Sequence, residues 1–568
     1  MLLNSRYYLS VSVVIFFYSA LSLASNNIQI ETTGISEEMK KNIVSMLDVS
    51  VVTQSSPTQI RQYFSSSPSV VKKALEPFGY FKAVVHYKLR YAQGKWIAKF
   101  EIMPGPPLRM HKVEIKITGS GKQEKFFQKI LQDASLRKGE IFSVPKYNAL
   151  KRSLFNTALA YGYFDAKFDD ARIVINLAPY TSEITLHFDT GIRYKFGSLS
   201  FNKNPYDSKF LTRFADFSPH AYYEADKVQS FQQALSNSGY FREVFLDTKV
   251  EHKENDAIPI EVKIKPLPAN QYNLGLGYGT DMGVRGLAGF ERRRLTPSGQ
   301  RIKTEIQASQ TNSNLQASYI IPGAKPATDQ YTLSAGIQHE NQVLGQSDLQ
   351  KITASYVKKM GQWQQTMALT LQRERFLLED LPEQTQLLFI PSVGWLRSWQ
   401  DDLLRPSRGG RISVDFLYAP SIFKNPQFFQ SRFGFKTIYP ILKKDRVVFR
   451  TNLSYTFIQN IKDLPLSLQS FAGGAQSIRG YSYNAIGPGK IAWVGSLEYQ
   501  RHIKGDWYLA GFYDVGNVSD NFSEDIKRGI GIGVVWQSPV GALQLTVAQA
   551  QDLPGKPISI QFSMGPAL

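Results

Sequence analysis

The 568-residue sequence predicts repeated α+β modules followed by an all-β transmembrane barrel of about 16 antiparallel strands. Three observations predict it. The tripeptide Gly-Tyr-Phe recurs at 79–81, 162–164 and 239–241, each time after a stretch with helical periodicity. From about residue 270 that periodicity gives way to apolar/polar alternation, which runs to the end of the chain. The one long apolar run is at the N-terminus, so any later membrane crossing falls to strands.

That N-terminal run, "MLLNSRYYLSVSVVIFFYSALSLASNN", carries an early cation (Arg6), an apolar stretch from Leu9 to Leu23 and small residues at Ser22 and Ala24. It reads as a signal peptide over 1–24, because the apolar part is shorter than the roughly 20 residues of a spanning helix. The cysteine count is zero, which excludes disulfides and thiol nucleophiles and fits a Gram-negative envelope protein. A formal net charge of +19 points to anionic partners. The cations are spread along the chain without aromatic stacking platforms, which argues against nucleic acid and leaves anionic lipid or acidic clients.

Each repeat reads as one strand, two helices and two further strands. In the second, Tyr147, Leu150, Leu154, Ala158 and Tyr161 share a helical face; in the third, Val228, Phe231 and Leu235 do. The recurring glycine fits a left-handed helix end, after which the aromatics turn into a strand. Strand-like pairs follow each copy: "FKAVVHYKL" and "KWIAKFEIM", "FDAKFDDARIVI" and "SEITLHFD", "FREVFLDTKV" and "IPIEVKIKP". The expected modules are 25–106, 107–190 and 191–267. They resemble POTRA domains, and the resemblance implies sheet edges able to accept an extended peptide.

Residues 268–568 form the expected barrel, with segments starting near 271, 284, 300, 313, 330, 350, 362, 387, 409, 430, 445, 490, 505, 527, 541 and 557. The first sets Tyr272, Leu274, Leu276 and Tyr278 opposite Asn273, Gly275, Gly277 and Gly279. The last sets Ile558, Ile560, Phe562 and Met564 opposite polar residues, and Gly565 and Pro566 then end or bend it. It is short, begins with a proline, and would close against a glycine-rich partner. A weak lateral seam is expected there, formed by Tyr272, Leu274, Gly275, Leu276 and Gly277 with Ile558, Ile560, Phe562 and Gly565.

Catalytic motifs fail on inspection. "GSGKQ" (119–123) lacks the phosphate-loop spacing and the Ser or Thr after its lysine. "GLGYG" and "GIGIG" repeat glycine at period two with no following helix, so they line one face of a strand. The seven histidines are scattered, and no G-x-S-x-G occurs. No catalytic residue, metal or cofactor is expected.

One constellation remains. Ile478, Arg479, Gly480 and Tyr481 lie in a stretch, roughly Leu464 to Lys490, long enough to enter a barrel lumen. A buried guanidinium there needs acids. Alternation places Glu498 inward on one following strand and Phe512 and Asp514 inward on the next. Val284-Arg285-Gly286 half matches the motif, and Arg285→Ala is expected to do little.

This ordered set is similar to the signature of the BamA and TamA outer-membrane superfamily. The resemblance implies that Arg479, Gly480 and Tyr481 are a lumenal loop motif meeting Glu498, Phe512, Asp514 and Gly516. With three modules, it implies a TamA-like branch: an outer-membrane factor for assembling unfolded outer-membrane or autotransporter clients with a TamB-like, inner-membrane-anchored partner. A two-partner-type secretion pore is the alternative, and a structural or adhesin-like barrel a third reading.

Overall fold

The computed structural model describes residues 27–565 apart from 54, 254, 343–344, 379–381, 403–404, 424, 443, 522–524 and 540; the expected signal peptide and Pro566 lie outside the described residues. Two compact units divide the chain. One runs to Gly197 and includes 219–226 and 250–258; the other holds 198–218, 227–249 and the chain from Pro259.

In the first unit, β1 (Asn27–Thr33), α1 (Glu37–Leu47), α2 (Pro57–Ser65), α3 (Ser67–Leu75), β2 (Val84–Ala92) and β3 (Lys95–Met103) make the first module, with strand order β1-β3-β2. The second comprises β4 (Arg109–Thr118), α4 (Lys125–Asp133), α5 (Val144–Ala160), β5 (Lys167–Asn176) and β6 (Thr181–Asp189), ordered β4-β6-β5. In both, the last strand sits centrally, parallel to the first and antiparallel to its hairpin partner. That position explains its alternation: Trp96, Ala98, Phe100 and Ile102 are buried in β3, and Ile184, Leu186 and Phe188 in β6.

The first module corrects the two-helix expectation, because it has three α-helices. A capping box between Ser56 and Gln59 starts α2, and Pro68 separates α3 from it. A proline lacks the N–H that would continue α2, yet suits the first turn of α3.

The repeated glycines have positive φ: +88° at Gly79, +82° at Gly162 and +75° at Gly239. Two of them also serve a joint. The Gly79 carbonyl accepts Leu108 N at 2.7 Å, and the Gly162 carbonyl accepts Tyr194 N at 2.9 Å, each donor leading into the next module. A Cβ would lie 2.7 Å from the Phe142 carbonyl oxygen at Gly79 and 2.8 Å from Tyr223 Cβ at Gly162. Glycine is therefore required by backbone angle and by close approach together.

The third module adds β7 (Lys195–Phe201), α6 (Ser208–Thr212), α7 (Ala225–Ser236), β8 (Phe241–Thr248) and β9 (Ala257–Pro266), ordered β7-β9-β8. Within the second unit, its Tyr240 packs among Tyr206, Phe210 and Phe214 and donates its hydroxyl to the Gly299 carbonyl at 2.5 Å.

The barrel has 16 strands in sequence order. They are β10 (Asn270–Gly279), β11 (Gly283–Arg292), β12 (Arg301–Ser309), β13 (Asn312–Pro322), β14 (Asp329–Gln342), β15 (Gly345–Met360), β16 (Trp363–Leu378) and β17 (Gln384–Gln400). Then come β18 (Gly409–Ala419), β19 (Phe428–Pro440), β20 (Arg446–Phe457), β21 (Ile491–Lys504), β22 (Trp507–Ser519), β23 (Lys527–Ser538), β24 (Gly541–Ala550) and β25 (Ile558–Gly565). The largest departure from the expected starts is at β15, which begins at Gly345 instead of near 350. Alternation alone leaves the direction of the faces open, and the structure fixes it. Leu333 and Leu369 face outward at 52 % exposure, whereas Glu374, Gln430, Thr456 and Asp514 are buried on the inner side. An apolar exterior around a polar interior is the membrane-barrel arrangement.

Candidate functional site

The segment between β20 and β21 enters the lumen and is fixed at two ends. At the first, Leu464, Leu466 and Leu468 are buried among apolar residues of the inner wall that include Leu388, Phe428 and Phe376. Glu374 on β16 accepts Ser467 N at 3.0 Å and the Ser467 hydroxyl, and also Ser347 Oγ at 2.7 Å and Gln372 Nε2 at 2.9 Å. A carboxylate that accepts from four donors in a buried site fixes the loop that supplies two of them.

At the second end lies Arg479. Its Nε donates to Asp514 Oδ2 at 2.7 Å and its Nη2 to Asp514 Oδ1 at 2.8 Å, a forked pair, while Nη1 donates to Glu498 Oε2. The Arg479 backbone N–H also donates to Asp514, at 3.0 Å. Ser496 joins both partners, accepting Nη2 at 3.1 Å and donating to Asp514 at 2.6 Å. Gln500 and Gln544 donate to Glu498 at 2.5 Å and 3.0 Å, and the guanidinium lies 3.4 Å from the centre of the Phe512 ring. Arg479 is 3 % exposed and Asp514 0 %. Every charge here is desolvated, so the arrangement holds only as a complete set.

The neighbouring motif residues seat the arginine. Ile478 and Tyr481 are buried with Ala472, Ile486, Val494, Val518 and Ala550. Gly480 has φ +97°, and a Cβ there would lie 2.7 Å from Ala550 N. On β23, a side chain at Gly529 would strike the Arg479 carbonyl, and one at Gly531 would lie 2.5 Å from Phe512 Cζ. The glycines of "GIGIG" thus make room for the loop and for the ring stacked on its arginine. Gly516 is not brought to the guanidinium; its bare Cα lets β22 lie close to Trp493 and Val494 of β21.

The seam is the other predicted site. Thr280, just past β10, donates its N–H to the Phe562 carbonyl at 3.2 Å, and Phe562 N donates to Thr280 Oγ1 at 3.2 Å. The Tyr278 and Phe562 rings approach to 6.2 Å. With antiparallel strands, Thr280 opposite Phe562 puts Tyr278 opposite Met564. Tyr272, Leu274, Gly275 and Leu276 then lie beyond Gly565, and Ile558 and Ile560 lie beyond the other end of β10. This corrects the expectation that Tyr272–Tyr278 would face Ile558–Phe562. Among the described residues the strands overlap only at their tips, and Leu274 and Leu276 are 86 % and 85 % exposed, well above Leu333 on the continuous wall.

Arg285 is also corrected. It is no inert half-match: its Nη2 donates to the Met564 carbonyl at 2.7 Å, bridging β11 to β25 past the narrow first strand. Gly277 admits it, since a Cβ there would lie 2.7 Å from Arg285 Nε. The loop spans the seam from inside as well, because Ala475 N donates to Asp281 beside β10 and Gln561 on β25 donates to the Tyr481 carbonyl.

Sequence reasoning missed Ser496 and Gln500, although period two from Glu498 points to both. Gln544, Glu374 and the role of Arg285 depend on which distant strands the barrel brings together, and no local pattern carries that.

A family model described as the Omp85 superfamily domain matches residues 276–567. The chain belongs to the Omp85 superfamily. Models described as "POTRA domain TamA domain 1" and "Surface antigen variable number repeat" match residues 29–104 and 194–266. Among curated relatives, the outer membrane protein assembly factor BamA of Neorickettsia risticii is 22 % identical over 65 % of this chain and 54 % of its own length. BamA of Nitratidesulfovibrio vulgaris is 21 % identical over 86 % of this chain and 66 % of its own. The chain thus spans between about half and two thirds of the length of these relatives. The crystal structure of Haemophilus ducreyi BamA lacking POTRA domains 1–3 superposes with TM-score 0.65 at 17 % identity, covering 80 % of this chain and 99 % of that one. This Omp85 protein is an outer-membrane barrel with POTRA modules on the periplasmic side.

Proposed function

We propose that this chain is a TamA-like assembly factor, inserting or translocating unfolded β-rich clients such as autotransporters through the seam between β10 and β25. A TamB-like, inner-membrane-anchored protein is the partner proposed for its POTRA modules, and no catalytic chemistry is involved. One observation carries the reading: among the described residues the first and last strands are joined by one backbone hydrogen bond, from Thr280 N to the Phe562 carbonyl, and Leu274 and Leu276 of β10 are strongly exposed. Unpaired backbone at membrane depth is costly, so an incoming client strand gains hydrogen bonds by adding there. The match of residues 29–104 to a TamA-type first POTRA domain supports this branch. A loop bonded across the lumen from Glu374 to Asp514 counts against an open secretion pore.

The test is a disulfide between cysteines at Thr280 and Phe562. With the seam oxidised shut, client insertion into liposomes should stop and return on reduction. Undiminished insertion by the oxidised protein would sink the proposal.

A further inference from the structure

Cross-strand register on the inner wall sets Arg411 of β18 directly opposite Lys436 of β19, and Lys436 directly opposite Arg450 of β20. Like charges facing each other across adjacent strands destabilise a sheet unless something between them compensates. Of the nearby acids, Asp415 of β18 lies directly opposite a fourth cation, Arg432 of β19, and two are committed to the latch. Glu498 serves Arg479, Gln500 and Gln544, and Asp514 serves Arg479 and Ser496. Arg450 reaches the loop, donating to the Ser477 carbonyl at 3.0 Å, but its Nε is buried without a partner. Neither Arg411 nor Lys436 has an ion-pair or hydrogen-bond partner among the described residues.

These three cations and Arg285 line one lumenal cavity of about 480 Å³, together with Gln476 and Asn452, and among the described residues no carboxylate lines it. We infer that this cavity binds a phosphate-bearing anion between Arg411, Lys436 and Arg450, a site separate from the loop latch and independent of the client reading. The spacing selects the chemistry. Adjacent strands are about 4.8 Å apart, so three cations converge across the sheet on one compact, multiply charged group. An extended acidic peptide presents same-face carboxylates about 6.7 Å apart along its own axis, a poorer match. Arginine forks and a lysine ammonium are the donors that phosphate oxygens accept.

The full-length protein in non-ionic detergent would be titrated with inorganic pyrophosphate while its thermal unfolding is followed. A parallel arm would use zwitterionic vesicles with and without phosphatidic acid. The expected result is a saturable rise in Tm, with half-saturation weakened about tenfold or more by Lys436→Gln and retained by Lys436→Arg. Response to pyrophosphate supports a free anion as the source; response only to phosphatidic acid supports a lipid headgroup. No saturable response to either phosphate, or an equal response in wild type and Lys436→Gln, overturns the inference. So does a Tm rise with oligoglutamate alone, which would give the cavity to an acidic client segment. Should Lys436→Gln fail to fold, Arg411→Gln takes its place with the same expectations.

Discussion

The latch around Arg479 and the seam between β10 and β25 lie in one barrel and are built oppositely. At the latch a guanidinium, two carboxylates, a serine, two glutamines and an aromatic ring satisfy one another out of water. At the seam, two strand tips share, among the described residues, one backbone hydrogen bond and a few side-chain contacts. By contrast β14 and β15 pair through a continuous register from Asp329–Lys358 to Gln342–Gly345. The barrel's rigidity is thus concentrated on the loop side. Because the loop also touches Asp281 and Gln561, the strong site steadies the weak one from within.

The largest expected effect separates the two. Arg479→Ala leaves Asp514 and Glu498 buried without their cation and should destabilise the folded barrel by about 3–5 kcal/mol, read as a lower Tm in detergent. If Tm is unchanged, the latch contributes no rigidity and the comparison fails. Gly480→Ala comes next, at about 1–3 kcal/mol, since the added methyl meets Ala550 N and the residue must keep a positive φ. It should loosen the latch while its charges remain.

Arg285→Ala should act on the seam alone. Loss of the bond to Met564 is worth about 1 kcal/mol, and amide exchange should quicken in β10 and β25 while the loop around Arg479 keeps its protection. Faster exchange at both places would mean that seam and latch open together.

Smallest is an effect outside the barrel. Glu114 is held at a pKa of about 2 by Lys116 first, then His187 and Lys112. Its folded value is depressed, so its contribution is present above its ordinary 4.5 and lost as pH falls toward 2. Thermal unfolding of Glu114→Gln should therefore differ slightly from wild type at neutral pH and converge with it in acid. A gap that widens in acid would reverse the assignment.

Much of this was legible because strands have a fixed period. Counting in twos from Trp493 and Leu509 places Glu498 and Asp514 inward from the sequence alone. The helix ends were legible for a related reason, since a glycine followed by aromatics marks a left-handed turn. The closure of the barrel was not. Whether Tyr272 or Thr280 meets Phe562 depends on the stagger accumulated over all 16 strands, and each local pattern is indifferent to it. The same stagger brings Gln544 to Glu498 and Arg285 to Met564. The third helix of the first module depended on Pro68 acting as a start as well as a stop.

The glycine joints bear on how the chain could change in length. Gly79 and Gly162 each offer a carbonyl to the first strand region of the following module, through Leu108 and Tyr194. The second module therefore carries both a plug near its start, Leu108, and a socket at its helix end, Gly162. Duplicating or deleting that second module would leave sockets and plugs still matched, so the number of modules can vary without inventing a new connection.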